Sequence, residues 1–163
     1  MKLKHHLINI GLLRDPDVVI GGHERPYLFR WYLIPRNRFL NVYLHYFLRS
    51  DDDRALHDHP WANMSILLDG SYMEHQIDAG GIHRKQLRKA GSWYLRLSGK
   101  IAHRIELHKG PVWTLFITGP RYREWGFHCP DTGWVHWTDF TATDDPGAIG
   151  RGCDQLSQTS RDI

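Results

Sequence analysis

The stretch Asn63-Met-Ser-Ile-Leu-Leu68-Asp69-Gly70-Ser71-Tyr-Met-Glu-His-Gln-Ile77 reads as two short strands around an Asp-Gly turn. An Asp-Gly pair between apolar runs is a strong hairpin signal. The same pattern continues outward on both sides. Residues 29–34 and 39–49 are rich in the Val, Tyr, Leu and Phe that suit a pleated, half-buried surface, and Pro35-Arg-Asn-Arg38 separates them. Ala79-Gly80-Gly81 marks a further turn, and residues 82–88, 92–97, 102–107 and 112–118 complete the set. At least seven short strands at close spacing, with no helical periodicity between them, predict an all-β, antiparallel sandwich or barrel over residues 25–140.

Composition bounds the rest. A chain of 163 residues is the size of one domain, and its 41% hydrophobic and 12% aromatic content supplies a core that excludes general disorder. No apolar run approaches the length of about 18 residues that a membrane-spanning helix needs. The opening residues lack a small-residue cleavage site, so a cytoplasmic protein with no membrane partner is expected. The two cysteines, Cys129 and Cys153, predict no disulfide framework. A net charge of +3 is too mild to signal a nucleic-acid partner. The basic run His83-Arg-Lys-Gln-Leu-Arg-Lys89 reads as a solvated sheet edge. Residues 1–24 are expected to hold a strand or short helix covering one barrel edge. Residues 141–163 read as a polar tail, poorly ordered from 145 onward. The aromatic-rich segment 125–137 is expected to pack over the barrel as a lid or edge cover.

Twelve histidines are the anomaly, because imidazole is the commonest metal-ligating side chain. In Leu56-His57-Asp58-His59-Pro60-Trp61, residues two apart in a strand share a face. His57 and His59 therefore point one way and Asp58 the other. One such pair is near chance expectation in so histidine-rich a chain, and its company gives it weight. A turn at Gly70 follows at hairpin distance, and Gly91 to Gly99 leads into a strand carrying His103. A third imidazole from an antiparallel partner strand would complete a three-nitrogen metal site with open positions.

These residues resemble a known superfamily. His57-x-His59, three residues, Asn63, six residues and Gly70 look like the first cupin motif. Gly91, five residues, Leu97-Ser98-Gly99 and then His103 look like the second. The resemblance implies a single-domain, double-stranded β-helix (a jelly roll) with His57, His59 and His103 as ligands of one divalent metal. Ferrous iron comes first, ahead of zinc, manganese or nickel, because an all-histidine set is similar to that of the thiol dioxygenases. The implied activity is that of a mononuclear dioxygenase-like oxidoreductase acting on a small, anionic molecule. The alternatives are a non-catalytic cupin that binds a metal, sugar or nucleotide, and a zinc-type hydrolase or isomerase on the same site. A homodimer is implied by the same resemblance. The chain departs from the pattern where Asn63 replaces the usual glutamate, Asp51 a glycine, Leu97 a proline and Leu107 an asparagine. Three neutral imidazoles leave a divalent charge uncompensated, which favours an anion or hydroxide at an open position.

Other residues are read against the barrel. Tyr43, His45 and Phe47 share one face of their strand and Val42, Leu44, Tyr46 and Leu48 the other, as in a strand covered on both sides. His45 is expected to be a hydrogen-bonded interior histidine rather than a fourth ligand. Trp61 and Asn63 continue the parity of the histidine pair. Tyr94 and Arg96 alternate with Trp93, Leu95 and Leu97. If the Tyr94 face lines the barrel, Arg96 is a candidate clamp for a carboxylate or phosphate, and otherwise it lies on the surface. Arg54, Arg121 and Arg123 are candidates for the barrel mouth. Tyr43, Trp61 and Trp113 are expected to keep bulk water out. His128-Cys129 is not read as a second metal site or a nucleophile, because no base-orienting partner is evident.

Overall fold

The computed structural model describes residues 2–22, 24–51, 55–78, 81–144 and 148–153. Helix α1 (Lys2–Leu13) precedes strands β1 (Val18–Ile20), β2 (Leu28–Tyr32), β3 (Asn41–Phe47) and β4 (Leu56–His57). Then come β5 (Asn63–Asp69), β6 (Ser71–Asp78), β7 (Ile82–Lys89) and β8 (Trp93–Arg96). The chain continues through β9 (His103–Leu107), β10 (Val112–Thr118), β11 (Gly126–Cys129), β12 (Gly133–His136) and the short α2 (Trp137–Phe140). They build two six-stranded sheets, in the orders β1-β2-β3-β10-β5-β8 and β12-β11-β4-β9-β6-β7. Strand β10 lies between β3 and β5, and β9 between β4 and β6, so the chain winds from sheet to sheet as a jelly roll does.

That winding corrects one expectation. The Asp69-Gly70 turn is present, with Gly70 at φ +86°, but β5 and β6 do not form a hairpin. β5 pairs with β10 and β8, whereas β6 pairs with β7 and β9. The turn is a corner between the sheets. A Cβ on Gly70 would stand 2.7 Å from the Pro111 carbonyl oxygen, so close backbone passage as well as the left-handed φ requires glycine here.

Strand β3 is covered on both faces. Leu44, with Trp31, Leu68 and Trp113, packs beneath Leu7 of α1 on the outside of the first sheet. Trp113 stacks on Trp31 and Tyr46 there, at centroid distances of 5.4 and 4.3 Å. This corrects the expectation that Trp113 lines the interior: its parity along β10 turns it outward, beneath the helix. Residues 2–22 thus hold both a helix, which covers a sheet face, and a strand, β1, which forms the edge of the first sheet. Inside the barrel, Leu28, Phe47, Leu67, Tyr72, Ile105 and Val112 fill one end. Burying side chains of this size stabilises by about 1.5–3 kcal/mol each.

The aromatic-rich segment is not a lid. β11 and β12 form a hairpin that extends the second sheet beyond β4. Phe127 stacks on Phe140 at 3.7 Å, within a small cluster of Ala55, Cys129, Val135 and Phe140. Cys129 and Cys153 are joined in a disulfide, contrary to the expectation from cysteine usage. The basic run forms β7, exposed at the sheet edge as expected.

Candidate metal centre

His57 on β4 stands directly opposite His103 on β9, so both rings project from one face of the second sheet. His59 lies past the end of β4 and is fixed through its backbone instead. Its N–H donates to the Gly99 carbonyl at 2.9 Å, and its own carbonyl accepts from Arg123 Nη1 at 3.1 Å. A Cβ on Gly99 would fall 2.2 Å from the His59 carbonyl oxygen, which explains a glycine at that point of the second motif. The outcome is that ligand nitrogens of His57, His59 and His103 lie within 4.8 Å of one another.

The closest pair, His59 Nε2 and His103 Nε2, is 2.9 Å apart. Two nitrogens each about 2.1 Å from one ion, at a right angle, would be about 3 Å apart, so this spacing suits shared coordination. Burial pushes the His59 and His103 imidazoles well below their ordinary range; His103, His57 and Arg96 add to it at His59, and Arg96, His57 and Arg88 at His103. Burial also lowers His57, against an opposing pull from Asp51. Neutral imidazole is the form that ligates metals.

Two carboxylates approach the other ring nitrogens. Glu74 Oε1 on β6 lies 3.1 Å from His103 Nδ1, and Asp51 Oδ2 lies 3.5 Å from His57 Nδ1. A carboxylate behind a ligating histidine fixes its tautomer and raises its basicity. Glu74 is 1% exposed and also pairs with Arg96 Nη2 and, at 2.9 Å, with Arg88. Asp51 accepts from the Tyr27 hydroxyl and from the Ile105 N–H. Sequence reading missed Glu74, because neither motif points to it. The available signal was strand parity, which puts Glu74 on the same side as Tyr72.

Asp58 turns away from the cluster, as alternation predicts. Its carboxylate accepts from the Gly126 N–H at 2.9 Å, Trp134 Nε1 at 3.1 Å and His128 Nε2 at 3.2 Å, and pairs with Arg123 at 3.0 Å. Burial alone would raise its pKa, but these partners outweigh burial and hold it far below the usual carboxylate range. Asp58 thus fastens the histidine segment to β11. His128 is engaged here and Cys129 in its disulfide.

The remaining candidates separate by face. Tyr43 and His45 are buried inside the barrel, and His45 Nε2 accepts from Arg30 Nε at 2.8 Å. His45 stacks between Tyr43 and Phe116, at 5.7 and 5.3 Å. Asn63 pairs with Arg96 in register, and the Arg96 guanidinium sits 3.9 Å over the Tyr94 ring, so the Tyr94 face is the inner one. Trp61 is half-buried, with its carbonyl close to Gly99. Arg121 pairs with Glu124 at the surface. Arg54 lies outside the described residues.

With this geometry established, the molecule has the cupin fold: a single-domain double-stranded β-helix with a histidine cluster inside. Among solved structures, the chain is similar to iron(II) HppE in complex with its substrate, with a TM-score of 0.51 at 14% identity over 64% of this chain and 56% of that one. It is also similar to the DMSP lyase DddQ from Ruegeria pomeroyi, with a TM-score of 0.50 at 17% identity over 71% and 60% of the two chains. A further similar structure is an RmlC-like cupin from Shewanella frigidimarina, at TM-score 0.45 and 14% identity, covering 60% of this chain and 79% of that one. The chain thus spans little more than half the length of HppE. No family model matches the chain, and no curated protein does.

Proposed function

We propose that the protein is a metal-dependent enzyme that binds one divalent ion through His57, His59 and His103 and acts on a small, anionic molecule admitted to the barrel. The observation carrying this reading is the convergence of three imidazoles inside the barrel, with two Nε2 atoms 2.9 Å apart. Ferrous iron is the proposed metal and a dioxygenase-like oxidation the proposed reaction. Support comes from the all-nitrogen donor set and from the shared fold of HppE, an iron(II) protein. Bound there, ferrous iron would supply redox chemistry towards dioxygen, with coordination positions left open by the three imidazoles.

The chain's own residues do the rest. Glu74 and Asp51 stand beside the Nδ1 atoms of His103 and His57, at 3.1 and 3.5 Å, and the Nε2 atoms of His59 and His103 meet inside the barrel. Tyr43, His45 and Phe116 form an aromatic wall facing the cluster, which restricts water. His59→Ala is expected to lose most bound metal with the fold retained. His136→Ala, whose ring is engaged with Glu124 on the outer hairpin, keeps full occupancy. Elemental analysis of untagged protein reads both, and equal metal content in the two variants would refute the site. Iron with oxygen-dependent turnover supports the oxygenase, zinc with hydrolysis replaces it, and a metal without turnover makes the protein a binder.

A further inference from the structure

We infer that Thr118, Asn63 and Arg96 form an oxyanion subsite, and that the substrate carries a carboxylate or phosphonate-type group seated there. This rests on the reading that the barrel interior receives the substrate. β10, β5 and β8 are neighbours, and their register sets Thr118 against Asn63 and Asn63 against Arg96. The three side chains therefore form one row on the inner face of the first sheet. They are 1%, 2% and 4% exposed.

The row is buried yet unsatisfied. Among the described residues, Thr118 Oγ1, Asn63 Nδ2 and Oδ1, and Arg96 Nε and Nη1 have no hydrogen-bond partner. Buried polar groups nearly always find partners, and each one left without costs about 1–3 kcal/mol. A core designed only for stability would place apolar residues of the same shape here. Several such atoms in one cross-strand row mark a surface completed by something the protein binds.

The chemistry of the row selects the ligand. Its groups are mostly donors: the Arg96 guanidinium, the Asn63 amide N–H and the Thr118 hydroxyl. An oxygen-rich acceptor complements them. Charge points the same way, because Arg96 and Arg88 share the single carboxylate of Glu74, leaving an excess positive charge in a buried place. An anion relieves that excess. Arg96 and His103 both contact Glu74, so the subsite adjoins the histidine cluster. A small molecule with its oxyanion on the row reaches the cluster with its other end.

The test is thermal unfolding of the full chain stripped of metal, with acetate, methylphosphonate or neutral acetamide as the probe. Wild type and His59→Ala should both gain several degrees from the two anions and nothing from acetamide, since a ligand of the folded state raises its melting temperature. Thr118→Val and Asn63→Leu remove unsatisfied atoms. They should melt at or above wild type and bind the anions about tenfold more weakly or worse. An anion response that survives both substitutions overturns the subsite, as does an equal response to acetamide. So does a lower melting temperature in both variants, which would mean that the fold itself satisfies the row. An anion response that needs metal and vanishes in His59→Ala puts the anion on the ion, sinking the subsite and sparing the metal centre. An anion response without any metal uptake by wild type does the reverse.

Discussion

Three cationic or titratable side chains, Arg96, Arg88 and His103, converge on the single carboxylate of Glu74. Removing one member of a buried charge cluster strands the others, at a cost of about 3–5 kcal/mol. Glu74→Gln keeps the shape and removes the charge, so it isolates this effect. The expected outcome is a stability loss of that size in denaturant unfolding, together with a 10–100-fold loss of zinc affinity by calorimetry as His103 loses its orienting partner. Glu106→Gln is the control. Glu106 is itself largely exposed and bonds the buried His75 on the outer face of the same sheet, away from the histidine cluster, so zinc affinity should hardly move. If the two variants behave alike, Glu74 is not holding the site. At this scale the sequence was legible for ligands and not for their supports. His57, His59 and His103 stand at motif spacings. Glu74 lies on a strand whose alternation favours the Met73 and Ile77 face as the buried one. The structure turns Tyr72 and Glu74 inward instead: Tyr72 joins the apolar cluster at one end of the barrel, and Glu74 meets Arg96, Arg88 and His103.

Elements show where local reading stops. The strand β10, Val112–Thr118, was readable to the residue, because apolar content and flanking turns bound it on both sides. Pairing was not, since an Asp-Gly turn reports a change of direction and not which sheet receives the next strand. β1, β11 and β12 escaped because each is only three or four residues long, too short for an alternation to show. The disulfide joins residues 24 apart, a separation that no local pattern announces. The two glycines of the second motif separate by the same logic. Gly91 has φ +92° with open space around its missing Cβ, so Gly91→Ala carries backbone strain alone, about 1 kcal/mol. Gly99 has no such φ, but its Cβ would collide with the His59 carbonyl at 2.2 Å. Gly99→Ala must therefore push the loop and His59 apart. It should cost about 1–3 kcal/mol and weaken metal binding, whereas Gly91→Ala leaves metal binding intact. Melting temperatures and metal titrations of the pair check this, and unchanged affinity in Gly99→Ala would show that His59 is not held by this contact.

The molecule as a whole encloses its histidines in a space that disfavours charge, and that fixes how its stability responds to pH. Burial lowers His45, His57, His59 and His103 below the ordinary imidazole value, and Arg30 reinforces the effect at His45 and Arg96 at the other three. In the unfolded chain these imidazoles take up protons near pH 6.5, while in the folded one they do so only at lower pH. The unfolded state therefore binds more protons as pH falls through that window. Stability is full above about pH 6.5 and is lost progressively below it, by up to about 1.4 kcal/mol per pH unit for each such histidine. Asp58, with its depressed carboxyl, adds a similar loss only at more acid values, below about pH 4 where an unfolded aspartate protonates. For metal-free protein, the denaturation midpoint should be level between pH 7 and 8 and fall steeply from about 6.5 to 5, with a slope exceeding one proton. His59→Ala removes one of the coupled imidazoles and should flatten that slope. Saturating zinc should shift the stability at every pH above 6 upward and steepen the fall below it, because protons and metal compete for the same nitrogens. A midpoint that stays constant from pH 7 to 5 would mean that the interior admits imidazolium freely, and a barrel that does so does not present the neutral nitrogens on which metal binding depends.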